Sequence, residues 1–123
     1  MAIFAQLDEN NVVINIITVN NTDIQNLSFP ESDAVGIAYL NSFLPPTIWK
    51  QGCEDTSFRF RRPNIGYKFH PDCGEHGGFS EPKLAEDFIW DASVCNWIPP
   101  VPYPQDGHYY YWNLEHKRWI ELT

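Results

Sequence analysis

The strongest constraint on this chain is an aromatic pattern that occurs twice in its last third. Phe88-Ile89-Trp90-Asp91 followed by Trp97-Ile98 is echoed by Tyr110-Tyr111-Trp112-Asn113 followed by Trp119-Ile120. Four of the five tryptophans fall in these two copies. A strand alternates its side chains between two faces, so each copy reads as a hairpin with its large aromatics gathered on one side. Asp91 and Asn113 stand where a type I turn favours a side chain that can accept from the backbone two residues on. With turns at 91–94 and 113–116, Trp90 is expected opposite Cys95, Phe88 opposite Trp97, Trp112 opposite Lys117 and Tyr110 opposite Trp119.

Between the copies runs Pro99-Pro100-Val101-Pro102-Tyr103-Pro104, which can be neither helix nor central strand and reads as an extended, semi-rigid spacer. The expected organisation is a core domain over 1–98, a proline-rich spacer over 99–107 and a C-terminal aromatic hairpin over 108–123. A lone hairpin is at best marginally stable in water, so the last one must dock on its own domain or on a neighbour.

Upstream, residues 2–19 alternate as a hairpin around Asp8-Glu9-Asn10-Asn11, pairing Leu7 with Val12, Ala5 with Ile14 and Ile3 with Ile16. One face is wholly apolar and the other mixed, as for a sheet with one side on a core. A helix is expected near 29–44. Ser28 and Glu31 have capping-box spacing, Val35, Tyr39 and Phe43 recur every four residues, and Pro45-Pro46 ends the run. Gly36 weakens that helix by about 1 kcal/mol relative to Ala unless it permits close packing. Thr47–Lys50 and Phe58–Arg61 read as strands, the second with one apolar and one basic face. Gly66–Phe69 and Gly78–Ser80 read as arms of another hairpin with its tip at 70–77. The fold class is therefore α+β: mostly antiparallel hairpins with one packing helix.

In order along the chain, several landmarks resemble a family of short virion proteins from tailed bacteriophages that infect cyanobacteria. They are Phe4–Val13, Gly36-Ile37-Ala38-Tyr39, Trp49-Lys50-Gln51, Ile65–Phe69, Cys95–Gly107 and the closing Trp112…Trp119 hairpin. The likeness covers most of the chain. It implies a non-enzymatic structural part of a virion, associated with tail, baseplate or tail fibre. The implied partners are other virion proteins and copies of the chain itself. Relatives often carry a cysteine near the position of Leu40 that could bridge to the one matching Cys95; here that bridge cannot form.

Composition agrees with a protein that is neither a nucleic-acid binder nor a membrane span. The net charge is −8, which disfavours nucleic acid as partner, and no run approaches the length of a membrane helix. No signal peptide is legible, so synthesis in a host cytoplasm followed by residence in the virion is expected. Half of the eight basic residues, Arg59, Arg61, Arg62 and Lys68, fall within ten positions. They read as a solvated strand face, or as partner-facing charges led by Arg59 and Arg61.

Three cysteines permit one intrachain bond, and Cys53 with Cys73 join two loops as a candidate staple. Free thiols or a bond to a neighbouring subunit are the other readings. The set His70, Cys73, His76 and Cys53 could close a tetrahedral zinc site, although its spacing lacks the usual ligand pairs. Cys95 is expected to pack between its own hairpin's strands against Trp90. No phosphate loop, nucleophile elbow or HExxH segment occurs, so no catalytic residue and no cofactor is expected. Trp112 and Trp119, with Tyr110, are the expected docking anchors. The rival function is recognition of host surface glycans, with Tyr109, Tyr111 and Trp112 stacking on sugar rings.

Overall fold

In the computed structural model, which describes residues 1–122, one strand is covered on both faces: β1 (Ala2–Leu7). It pairs antiparallel with β2 (Val13–Val19) on one side and β3 (Ile48–Gly52) on the other. Its sequence explains its central place, because Ala2 and Phe4 point to one face while Ile3, Ala5 and Leu7 point to the other, and all five are buried. The expected sheet with one apolar and one mixed face is thus corrected at its middle strand.

On the first face lies α1 (Glu31–Asn41), preceded by a 3-10 turn at Asn21–Ile24. Phe4, Val19, Ile24, Leu40 and Trp49 form the core between them. The helix is shorter than expected, and no side chain caps it; Ser32 N–H donates to the Ser28 carbonyl instead. Its buried stripe is Ser32, Gly36 and Leu40, while Phe43 is 59% exposed. Gly36 decides that rotation. A Cβ there would stand 2.0 Å from Phe4 Cζ, so only glycine lets the helix come this close to the sheet.

On the second face, Ala5, Leu7 and Val13 pack against Phe69 and Phe79. These come from the expected hairpin, β4 (Lys68–His70) and β5 (Gly78–Ser80). Two ribbons follow, β6 (Ile89–Asp91) with β7 (Asn96–Ile98), and β8 (Tyr110–Asn113) with β9 (Arg118–Glu121). The α+β class is as read from sequence, with 12% helix and 32% strand. Thr123, the end of the expected 108–123 hairpin, lies outside the described residues. Among the described residues no helix is long and apolar enough to cross a membrane.

The registers expected for the first hairpin and for both aromatic ribbons shift. Trp90 pairs with Trp97, and Trp112 with Trp119. The loops are 92–95 and 114–117, closed by Cys95 (φ 50) and Lys117 (φ 52) in the left-handed region. In the first hairpin Asn11 (φ 65) does the same. A bulge at Gln6/Leu7 then sets Leu7 opposite Val13 and Ala5 opposite Ile16, leaving Ile14 outside. Val13 N–H is drawn instead to the Tyr67 carbonyl at 2.7 Å.

Phe58–Arg61 is not a strand. Arg59 (φ 55) and Phe60 (φ 72) both take left-handed backbone, and the segment turns inward, where Arg59 meets a half-buried carboxylate and two carbonyls.

Candidate docking surface and the polar centres beneath it

Each aromatic ribbon separates its residues in the same way, because directly opposed residues in an antiparallel pair share a face. In the second ribbon Tyr110, Trp112, Trp119 and Glu121 fall on one face. That face turns toward the chain itself. Trp119 Nε1–H donates to the Val101 carbonyl at 2.8 Å, and its ring meets Tyr103 edge-on at 5.0 Å. Trp112 meets Phe88 at 6.2 Å. Tyr110 N–H donates to the Tyr103 hydroxyl at 2.9 Å, and the Tyr110 hydroxyl donates to Asp106 Oδ2. This bond holds the Tyr110 phenol up at about 12 and the Asp106 carboxyl below its ordinary range.

The ribbon is therefore tied chiefly to the proline spacer. An apolar cleft of about 200 Å³ between Ile98, Pro99, Val101, Pro102, Tyr103 and Trp119 separates the two ribbons there. Lys117 reaches Asp87 only at 4.0 Å. The expected anchors Trp112 and Trp119 face this internal contact. The opposite face carries Tyr111, Ile120, Asn113 and Arg118, flanked by Tyr109 and Leu122. Tyr109 is 75%, Tyr111 46% and Leu122 57% exposed. The first ribbon repeats the division: Trp90 and Trp97 meet edge-to-face at 5.3 Å, with Trp90 also on His70 at 4.4 Å, while Ile89 is exposed.

Arg59 and Arg61 are not free partner-facing charges. The Arg59 side chain is 6% exposed and pairs with Asp33 at 3.2 Å. It also donates to the Gln51 carbonyl at 2.8 Å and the His76 carbonyl at 3.0 Å, between the rings of Phe29 and Phe69. Asp33 accepts from Gln51 N–H, and Ser32 Oγ donates to Gln51 Oε1 at 2.6 Å. One cation thus joins α1, β3 and the 70–77 tip. Sequence reading missed Asp33 and Gln51 as its partners, since their separation along the chain carries no local signal. Arg61 donates to the carbonyls of Phe79, Cys95 (2.6 Å) and Val94 (2.8 Å), fastening the first ribbon's turn to β5.

The proposed zinc set is not assembled. His70 Nε2 lies 2.7 Å from Ser80 Oγ, and burial, followed by the nearby Lys68 charge, pushes its pKa down. His76 lies against Phe29 and Glu75. Among the described residues no three potential ligands cluster. Nor do Cys53 and Cys73 pair: the Cys53 thiol contacts the Asp55 and Phe58 carbonyls. Cys95, expected between strands against Trp90, instead closes the ribbon turn and is fully buried beside Cys73. Burial first, and then the Cys73 thiol, push Cys95 up to about 12.

Comparison with known protein families, curated proteins and solved structures finds no match.

Proposed function

We propose that this chain is a non-enzymatic structural component of a bacteriophage virion, of its tail, baseplate or fibre region, that works by docking to other subunits. The observation that carries the docking part is the outward face of the terminal ribbon. Tyr109, Tyr111 and Leu122, with the half-buried Ile120 opposite Tyr111, leave an aromatic and aliphatic strip in water on an element whose inner face is already satisfied. Contiguous apolar surface of this kind marks association sites more often than it occurs by chance, and tyrosines lose little side-chain entropy on being covered. The assignment to a virion leans on the ordered sequence likeness of Phe4–Val13, Ile65–Phe69 and Cys95–Gly107. The docking surface of this reading is Tyr111 and Ile120, with Trp112 and Trp119 holding the ribbon in shape behind them.

The test is incorporation. Phage carrying Tyr111→Ser with Ile120→Ser in this chain should assemble particles that lack it, while the isolated variant stays folded. Normal incorporation of the double variant would overturn the docking face. A second reading, recognition of host surface glycans, is favoured by the two exposed phenol rings of Tyr109 and Tyr111. It requires that the isolated protein bind host envelope polysaccharide and lose that binding on Tyr111→Ala.

A further inference from the structure

The two buried cysteines that the fold brings together lie on different hairpins. Cys73 sits in the β4–β5 tip, where its N–H donates to the His70 carbonyl, and Cys95 closes the β6–β7 turn. Both side chains are buried, and the pair stands at 2.6 Å, unbonded. The site around them is built. Arg61 grips the Cys95 and Val94 carbonyls from one side. Gly78 leaves the space on the other: a Cβ there would meet Cys95 Sγ at 3.0 Å and Phe60 Cδ2 at 2.4 Å. Cys53 is occupied elsewhere, by the carbonyls of Asp55 and Phe58.

We propose that Cys73 and Cys95 are an oxidisable pair, held as thiols in a reducing compartment and closed to a disulfide outside it, which welds the first aromatic ribbon to the core. The oxidant is a low-molecular-weight disulfide such as oxidised glutathione. One cysteine, as thiolate, attacks a sulfur of the reagent, forming a mixed disulfide and releasing one reagent thiol. The second cysteine attacks the protein-bound sulfur and releases the other. Two electrons pass to the reagent, its S–S bond breaks as the protein's forms, and the two cysteine protons end on the released thiols. The two thiols already touch, so a bond between them would join the β4–β5 tip to the β6–β7 turn. Such a bond closes the loop from 73 to 95 and removes freedom chiefly from the unfolded chain.

The test uses the full chain, reduced with a phosphine or equilibrated with oxidised glutathione. Intact mass should fall by two hydrogens with one thiol left to alkylate, and proteolytic mapping should join the Cys73 and Cys95 peptides. The oxidised form should melt about 10 °C above the reduced one. Cys53→Ser should keep both effects, and Cys73→Ser and Cys95→Ser should each abolish them. Mapping on the unmutated protein decides the pairing even if those variants fold poorly. Three free thiols after oxidation, a bond to Cys53, or equal melting of the two forms would each overturn the proposal.

Discussion

Single side chains set the geometry of this protein, and two of them can be weighed. Alanine at position 36 favours the helix by about 1 kcal/mol. Its methyl, however, would stand 2.0 Å from Phe4 Cζ, a ring with no exposed surface and nowhere to move. Overpacking of this sort costs about 1–3 kcal/mol, occasionally more, so the steric effect wins. Gly36→Ala should lower the urea midpoint with an unchanged slope. At Arg59 the arithmetic concerns charge. Asp33→Ala leaves a guanidinium with 6% side-chain exposure without its carboxylate, which should cost about 3 kcal/mol in chemical denaturation. Phe58–Arg61 misled sequence reading for the same reason: alternation with arginine ordinarily marks a solvated face. Nothing local announces that Asp33, Phe29 and Phe69 will gather around one of them.

At the level of elements, the helix and the strands other than Phe58–Arg61 were legible, while the hairpin registers were not. The two aromatic ribbons fail alike, their loops ending one step later than the turn residues suggest, while the first hairpin slips through the bulge at Gln6/Leu7. Cys95 and Lys117 take left-handed backbone there without being glycine. Glycine would have advertised the position; cysteine and lysine do not. Lys117 is exposed, its approach to Asp87 is worth little at 4.0 Å, and its backbone is strained. Lys117→Gly should therefore stabilise the second ribbon by about 0.5–1 kcal/mol, read as slower amide exchange of Tyr111 and Ile120, whose N–H groups face the partner strand. The helix face was misassigned because apolar residues surround α1, so that periodicity could not choose among its sides. The fit of Gly36 over Phe4 chose.

For the whole molecule, titration sets a pH window. His70 is depressed below 6.5 by burial. As pH falls below the ordinary histidine value, the unfolded chain takes up a proton that the folded one resists, so stability declines on acidification. His70→Gln should flatten that limb of a melting-temperature profile. Cys95 behaves oppositely. Its thiol is raised from 9.0 to about 12, so between those values the unfolded chain loses a proton that the folded one keeps, and stability falls as pH rises. That alkaline limb should vanish once the thiol is oxidised.

The strand with both faces covered has a further consequence. β1 finds its partners in β3, Phe69 and Phe79, all made later, so its apolar flanks stay unsheltered until synthesis has passed residue 80. A fragment ending at residue 75 should aggregate, whereas one ending at residue 104 should give a cooperative melt. In this chain the first strand made must wait for two thirds of the sequence before both its faces are sheltered.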